Sequence, residues 1–293
     1  MRIGCVGVGA IGGALAAPLI ASGRHDVVLC VREPFERLAV ESPARRIEVQ
    51  ARCETDPARV APVDWVLLAT KAQDVPGAAK WLAALTRPGT AIAVLQNGVE
   101  HRERVAKFAG PAEVLPVVVE LPAARSAPGR VRLRAGARLT VPAGATGAAF
   151  AELFASTDVA VEATGDFARA AWRKLCLNAA SGALTALTGR TVEVLHEPGM
   201  AELARGIMLE CAAVARAEGA ELGDSVADEI LARLLALPAG SGNSMLYDRL
   251  AGRPLEIDAR NGAIVRIGAR HGIATPLNGA VTALLAAHEK EGT

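Results

Sequence analysis

The chain has 293 residues, a length that corresponds to one or two domains. Apolar residues make up 51% of it and charged residues 22%, which indicates a globular protein rather than a disordered one. The 32 Lys and Arg residues against 31 Asp and Glu residues leave a net charge of +1, and only 3% of the residues are aromatic. This balance argues against the basic, aromatic-rich surfaces that bind nucleic acids or anionic membranes.

The uncharged N-terminal segment contains the first predicted elements. Residues 3–23 carry no charge, as a membrane span or a signal sequence would, but they include six glycines and Pro18. A spanning helix tolerates this composition poorly. A strand at Arg2–Gly7 followed by a helix at Ile11–Ser22 accounts for it better. We therefore predict no membrane segment here.

Segments of strand and helix character alternate through the first half of the chain. Strands are predicted at residues 25–32, 64–70, 90–96 and 113–120, and helices near 74–85 and 99–108. Near-continuous apolar strands separated by helices are typical of a mainly parallel sheet that is covered on both faces. The runs 131–134 and 138–141, joined through Ala-Gly, predict a hairpin at the sheet edge.

The pattern changes at about residue 166, after which helical periodicity continues. Helices are predicted at 167–187, 200–218, 225–237, 255–271 and 277–288, with glycine or proline at the breaks. The predicted fold is therefore α/β, with a mainly parallel sheet in a domain at 1–165 and an all-helical domain at 166–293.

The cysteines bear on the compartment and on metal binding. They are five in number and show no CxxC spacing, which favours free thiols over a disulfide framework or a zinc site. No N-x-S/T glycosylation acceptor occurs, which is compatible with a cytosolic protein. We expect a cytoplasmic protein without a bound metal.

A glycine-rich motif follows the first predicted strand and opens the first helix. Its residues match G-x-G-x-x-G and are Gly7, Val8, Gly9, Ala10, Ile11 and Gly12. Gly7 permits a tight turn, Gly9 lets the backbone approach a pyrophosphate, and Gly12 lets helix and strand pack closely. The helix N-terminus adds free N–H groups and the positive end of the helix dipole. In this context the motif predicts a dinucleotide site rather than a structural glycine-rich turn.

Two basic residues are candidates for the recognition of a cofactor phosphate. Arg32 lies at the end of the second strand, where NADP enzymes place an arginine for the 2′-phosphate and NAD enzymes an acidic residue. We interpret Arg32 as a phosphate ligand rather than a solvated arginine, while Glu33 keeps NAD as the alternative. Lys71 follows another strand at the same carboxyl edge, and either assists with the phosphate charge or is an exposed loop lysine.

Three polar residues in the middle of the chain allow both a functional and a structural interpretation. Asn97 follows a strand within Gln-Asn-Gly, which by itself is a turn motif. Lys174 and Asn178 lie four residues apart on one helical face. A lysine among Leu, Cys and Trp is either partly desolvated, with a lowered pKa, or extends its amine to solvent.

Two further candidates lie beyond a Pro/Gly break. Ser244 is followed by Asp248 one turn later and is a reasonable helix N-cap. Glu256 is spaced to pair with Arg260, which on an exposed helix stabilises by only a few tenths of a kcal/mol. None of these residues identifies a site when taken singly.

Their combination resembles the ketopantoate reductase family (2-dehydropantoate 2-reductases) over nearly the whole chain. The motifs, in order, are the N-terminal GxGxxG, Gln-Asn-Gly, W-x-K-L-x-x-N, N-S-M-x-x-D and E-I-D-x-x-x-G. The resemblance implies a Rossmann-type domain joined to a helical domain, with the active site in the cleft between them. It also implies NADPH-dependent reduction of a 2-oxo acid to a 2-hydroxy acid, ketopantoate to pantoate being the first candidate.

The resemblance also implies roles for single residues. Lys174 corresponds to the general acid, Glu256 to its partner at the substrate hydroxyl, and Asn97 to a residue that bridges cofactor and substrate. Asn178 and Ser244 match substrate-binding positions, while Arg32 and Lys71 match positions near the NADP phosphate. Chemistry agrees with this, because hydride transfer to a carbonyl builds negative charge on its oxygen, which a nearby acid stabilises.

The chain departs from the family at one position and leaves alternatives open. Gly182 stands where the family usually has a second asparagine, four residues after Asn178. A lost hydrogen-bond partner costs about 1–3 kcal/mol, so a paralogue for a different 2-oxo acid is one alternative. An NADP(H)-sensing protein is another, although it has no need of Lys174 and Glu256. A β-hydroxyacid dehydrogenase would leave the E-I-D motif unexplained. We expect a small-molecule substrate and a homodimer as a possible assembly.

Overall fold

The protein forms two compact units in a computed structural model that describes residues 1–290. The first unit consists of Met1–Gln96 and His101–Phe167. The second consists of the short segment Asn97–Glu100 and of the chain from Ala168 onward. The Gln-Asn-Gly motif is therefore divided, with its asparagine in the second unit.

The first unit contains thirteen described strands and four α-helices. The strands are β1 (Arg2–Val6), β2 (Asp26–Cys30), β3 (Arg37–Glu41), β4 (Arg46–Gln50), β5 (Cys53–Glu54), β6 (Trp65–Leu68), β7 (Ala91–Val94), β8 (Glu113–Pro116), β9 (Val118–Glu120), β10 (Ala123–Ala127), β11 (Arg130–Leu133), β12 (Arg138–Pro142) and β13 (Ala160–Thr164). The helices are α1 (Ala10–Ala21), α2 (Val75–Leu85), α3 (His101–Ala106) and α4 (Ala145–Leu153).

Six of these strands form an open parallel sheet in the order β5-β2-β1-β6-β7-β8. Counted along this sheet the order is 3-2-1-4-5-6, which is that of dinucleotide-binding folds. All residues of β6 and β7 are buried, as expected of strands with helices on both faces. The predicted α/β fold with a mainly parallel sheet is confirmed.

Two smaller sheets complete this unit, and the hairpin predicted at 131–141 is wrong. Strand β11 pairs with β10 and β3, whereas β12 pairs with β13 and β9. Both strands alternate between buried and exposed residues, so each needs a partner and a face to cover. The partners that supply these are distant in sequence, and a local turn signal carries no information about them.

From α5 onward the described elements are helices. They are α5 (Phe167–Leu177), α6 (Ala183–Thr188), α7 (Met200–Ala217), α8 (Ser225–Leu235), α9 (Ser244–Leu250), α10 (Asn261–Arg270) and α11 (Pro276–Lys290). A π-helical turn, Asn178–Gly182, joins α5 to α6, so the predicted helix at 167–187 is continuous but locally widened. The predicted helix at 255–271 begins only at Asn261, and residues 257–260 form a turn before it.

The uncharged N-terminal segment forms part of the first unit. Its residues form β1, the glycine turn and α1, whose middle, from Gly12 to Leu19, is entirely buried. Within residues 1–290, no helix combines the length and the apolarity needed to cross a membrane.

Candidate active site

The glycine motif forms a tight turn between β1 and α1. Gly7 has φ +91°, and a Cβ atom there would lie 2.7 Å from the backbone nitrogen of Thr70. A Cβ at Gly12 would lie 2.2 Å from the carbonyl oxygen of Gly7. These two positions therefore require glycine for packing. Gly9 differs, since nothing lies within 4 Å of a Cβ placed there, and this open space is where a ligand can approach the backbone.

The first turn of α1 is suited to an anion. Gly9 caps the helix without a side-chain hydrogen bond, and no acidic residue lies in the first turn. The N–H groups of this turn and the positive end of the helix dipole are therefore available to a phosphate. Ala10 and Ile11 begin the helix and are half-buried, while Val8 is buried. The motif thus fits the pyrophosphate of a dinucleotide.

The other predicted cofactor residues follow strands that neighbour β1 in the parallel sheet. Arg32 lies two residues after β2 and is exposed, and Lys71 lies three residues after β6 and is half-buried. Gln96 follows β7 and donates from Nε2 to Thr70 Oγ1 at 3.0 Å, while its buried Oε1 has no hydrogen-bond partner. Because parallel strands end at a common edge, these residues share the edge that carries the glycine turn.

In the second unit a chain of hydrogen bonds joins predicted site residues around Glu256. The Glu256 side chain is 3% exposed, and its Oε2 accepts a hydrogen bond from Asn97 Nδ2 at 2.8 Å. Asn97 Oδ1 in turn accepts one from Asn178 Nδ2 at 3.2 Å. Three residues from separate motifs are thus joined in one chain of hydrogen bonds that ends at a buried carboxylate.

Arg260 extends this chain to Ser244. Its Nη2 donates to Glu256 Oε2 at 2.9 Å and to Ser244 Oγ at 2.9 Å. The side chain of Arg260 is 2% exposed, and its Nε is buried without a hydrogen-bond partner. Sequence spacing indicated the Glu256–Arg260 pair, but as a weak pair on an exposed helix. Burial makes each charge of this pair depend on the other, since charges removed from water must be compensated by one another.

The sequence indicated Ser244 as a helix N-cap, but Ser244 is the first residue of α9 and does not cap it. Asn243 caps this helix, because its side chain accepts hydrogen bonds from the backbone nitrogens of Met245 and Leu246. The Ser244 side chain is therefore not used by the helix end. It is exposed, and its oxygen accepts the hydrogen bond from Arg260.

The segment that carries Asn97 is fixed to the turn before α10. Gly98 has φ +104°, and a Cβ there would lie 2.7 Å from the carbonyl oxygen of Ala259. Arg266 donates to both carboxylate oxygens of Glu100, at 3.1 and 2.6 Å, and to Asp258 at 2.7 Å. The hydrogen bonds to Glu100 and then to Asp258 raise the pKa of Arg266, so the arginine stays charged.

Lys174 lies in the last turn of α5 and is half-buried, one turn before Asn178. The buried residues Trp172, Leu175 and Cys176 surround it in sequence and belong to the core of this unit. Asn178, which begins the π-helical turn, is 8% exposed. Among the described residues, no group of three His, Cys, Asp or Glu side chains could hold a metal ion.

The strand order and the glycine turn place the first unit in the dinucleotide-binding class of α/β proteins. A family model described as ketopantoate reductase PanE/ApbA matches residues 3–161, and its C-terminal counterpart matches residues 166–289. Together they cover both units, so the chain belongs to the ketopantoate reductase family. The resemblance found in the sequence motifs is thereby confirmed.

Similar proteins agree with this assignment. The 2-dehydropantoate 2-reductase of Caulobacter vibrioides is 49% identical, over 97% of this chain and 97% of its own length. The enzyme of the same name from Mycobacterium tuberculosis is 42% identical, with the same coverage of both chains. The crystal structure of 2-dehydropantoate 2-reductase from Geobacter metallireducens has a TM-score of 0.92 at 31% identity, over 98% of this chain and 99% of that one.

Proposed function

We propose that the protein catalyses the NADPH-dependent reduction of 2-dehydropantoate to pantoate, the reaction after which its relatives are named. The observation that carries this proposal is the hydrogen bond between Asn97 and Glu256, which joins segments 159 residues apart. It assembles two polar motifs of the sequence around one buried carboxylate. A purely structural protein has no evident use for such a carboxylate, because burying its charge is costly.

The first unit supplies the residues for NADPH. Gly7 to Gly12 form the turn that would hold the pyrophosphate, and Arg32 and Lys71 would bind the 2′-phosphate. Asn97 is assigned to contact both cofactor and substrate. When bound, NADPH supplies the hydride that reduces the substrate carbonyl.

Lys174 and Glu256 are assigned to the proton transfer. Lys174 donates a proton to the carbonyl oxygen as negative charge develops there, which turns the 2-oxo group into a hydroxyl. Glu256 accepts a hydrogen bond from the new hydroxyl, and its negative charge stabilises the lysine ammonium against desolvation. Asn97 and Arg260 hold this carboxylate in place through Oε2.

Asn178 and Ser244 are assigned to the substrate. Their amide and hydroxyl groups can orient a 2-oxo acid by hydrogen bonds without adding formal charge. Asn178 is fixed by its bond to Asn97, and Ser244 by its bond to Arg260. Both are therefore held before a substrate binds, which reduces the entropy lost on binding.

A second candidate is the same reaction on a different 2-oxo acid. The observation that favours it is at Gly182, where the resemblance leads one to expect an asparagine. Glycine leaves this position without a polar side chain, and the guanidinium group of Arg260 occupies the neighbouring space. The protein can therefore hold a 2-oxo acid differently at this position.

The remaining assignments concern the whole chain. Residues 1–165 are proposed to bind NADP(H), and residues 166–293 to bind the substrate and supply the catalytic residues. A cytoplasmic location is proposed because all five cysteines are free, as in reducing compartments. A homodimer is also proposed, and sedimentation equilibrium of the purified protein tests it.

The test is an NADPH-oxidation assay with ketopantoate and with other branched 2-oxo acids. Replacement of Lys174 by alanine should abolish turnover but leave NADPH binding unchanged, whereas replacement of the exposed Lys80 should change neither. Activity on another 2-oxo acid in preference to ketopantoate supports the second candidate. NADPH binding without turnover of any of these acids would instead indicate a cofactor-sensing protein.

A further inference from the structure

We propose that Arg260 is a positioning residue that selects a substrate carboxylate, and that Gly182 provides the space this arginine needs. The proposal rests on the proposed function, and specifies how the substrate end of that site works. Arg260 joins a predicted catalytic residue, Glu256, to a predicted substrate-binding residue, Ser244, through a single nitrogen atom.

The geometry at Nη2 determines which way the serine hydroxyl can point. A terminal guanidinium nitrogen carries two hydrogens, and here one is directed to Glu256 Oε2 and the other to Ser244 Oγ. Ser244 Oγ is therefore an acceptor towards Arg260, so its own hydrogen points elsewhere. Because the Ser244 side chain is exposed, this hydrogen is available to an acceptor outside the protein.

A carboxylate is the acceptor that gains most from this arrangement. The Ser244 hydroxyl donates to it, and the positive charge of Arg260 lies directly behind that hydroxyl, at 2.9 Å from its oxygen. The charge is buried, so solvent screens it little, and its ion pair with Glu256 offsets it in part. Arg260 thus favours an anion over a neutral group of the same shape without contacting the substrate itself.

Gly182 is required for the guanidinium to occupy this position. A Cβ atom at residue 182 would lie 2.9 Å from Arg260 Nη1 and 3.3 Å from Met245 Sδ. A non-bonded Cβ atom essentially never lies so close to another heavy atom, so the guanidinium would have to shift, and a shift disturbs the bonds of its Nη2 to Glu256 and Ser244. The position of the Arg260 guanidinium therefore depends on the absence of a side chain at residue 182.

The experiment measures binding of pantoate and of its neutral amide to the NADP⁺-loaded protein by calorimetry. Arg260→Met should weaken pantoate binding about tenfold or more, as expected for the loss of a charge-assisted interaction. Binding of the amide should change by less than about threefold. Arg260→Lys should retain part of the preference for pantoate. Arg270→Met removes an exposed arginine at the end of α10, the helix that follows Arg260, and serves as the control.

Two results would overturn the proposal. One is equal weakening of pantoate and amide by Arg260→Met, because a merely structural arginine affects both ligands alike. The other is an affinity for pantoate that Arg260→Met leaves unchanged. If the unmodified protein neither reduces 2-oxo acids nor binds pantoate, the proposed function itself fails, and this is seen before any variant is compared.

Gly182→Ala provides a test that does not depend on the folding of an Arg260 variant. It should lower the preference for pantoate in the same direction, by displacing the guanidinium. Gly279→Ala in α11 is the control, since nothing lies within 4 Å of a Cβ there. In the double variant with Arg260→Met, the effect of Gly182→Ala on this preference should disappear. If Gly182→Ala instead lowers the preference for pantoate by the same factor with and without Arg260→Met, Gly182 does not act through Arg260.

Discussion

Replacement of Glu256 by glutamine tests whether the buried guanidinium of Arg260 depends on Glu256 as its counter-ion. Glutamine keeps the size of the side chain but removes its charge, which leaves the guanidinium of Arg260 buried without a counter-ion. Both side chains are almost fully buried, at 2% and 3% exposure, so water cannot replace the lost carboxylate. Removal of one partner from a buried pair typically costs about 3–5 kcal/mol.

Thermal denaturation measures this cost. At about 2–4 °C per kcal/mol, the melting temperature of the Glu256→Gln protein should fall by roughly 6–20 °C. Replacement of both residues, as Glu256→Gln with Arg260→Met, removes both charges and should recover much of the loss, because apolar substitutes for a buried pair are often close to neutral. Glu229→Gln breaks an exposed pair with Arg173 and should cost at most about 1 kcal/mol.

The double variant decides between two explanations of a destabilised single variant. If an unpaired buried charge is the cause, the double variant is more stable than the sum of the two single losses predicts. If the cause is disrupted packing or the lost bond to Asn97, the two losses simply add. Additive losses, or a single-variant loss no larger than that of Glu229→Gln, would falsify the reasoning.

Three further predictions concern the first unit. Arg32→Ala should raise the KM for NADPH at least about tenfold more than the KM for NADH, since only NADPH carries the 2′-phosphate; equal increases would contradict this role. Burial raises the pKa of the Cys5 thiol to about 12, so alkylation at neutral pH should spare Cys5 in the folded protein and modify it after denaturation. Hydrogen bonds from the Arg2 backbone and the Arg87 side chain lower the pKa of Asp64. The stability that Asp64 contributes is therefore present above about pH 4 and is lost as pH falls through its folded-state pKa. The difference in urea stability between Asp64→Asn and the unmodified protein should accordingly be larger at pH 6 than at pH 2.

The parallel sheet could be predicted because its strands are recognisable one by one. Runs such as Trp65–Leu68 and Ala91–Val94 are apolar throughout, which only a strand covered on both faces requires. The smaller sheets were not predicted, because their strands are short and half-exposed. Arg46–Gln50, for example, alternates between half-buried and exposed residues. Such a strand is recognisable only once its pairing partner is known. Pairings like that of β11 with β3 join residues about 90 positions apart.

The candidate site could be predicted in part for a related reason. Asn97, Asn178, Ser244 and Glu256 belong to short motifs whose order along the chain is distinctive, so they could be proposed as candidates without knowledge of their contacts. Their hydrogen-bonded connection through Arg260 was not found. An acidic residue and an arginine four positions apart are common on helix surfaces, and the sequence contains no signal that separates that arrangement from a buried one.

Burial is thus the property that separates this ion pair from the common pairs on helix surfaces. On a helix surface, Glu256 and Arg260 would be solvated and would contribute little to stability or to recognition. In the segment before α10 they share a nitrogen–oxygen contact of 2.9 Å out of reach of water, and each then depends on the other. The same dependence extends to Gly182, which admits the guanidinium, and to Ser244, whose hydroxyl the guanidinium orients. A substitution at any one of these positions should therefore be accompanied, in a functional protein, by a change at another.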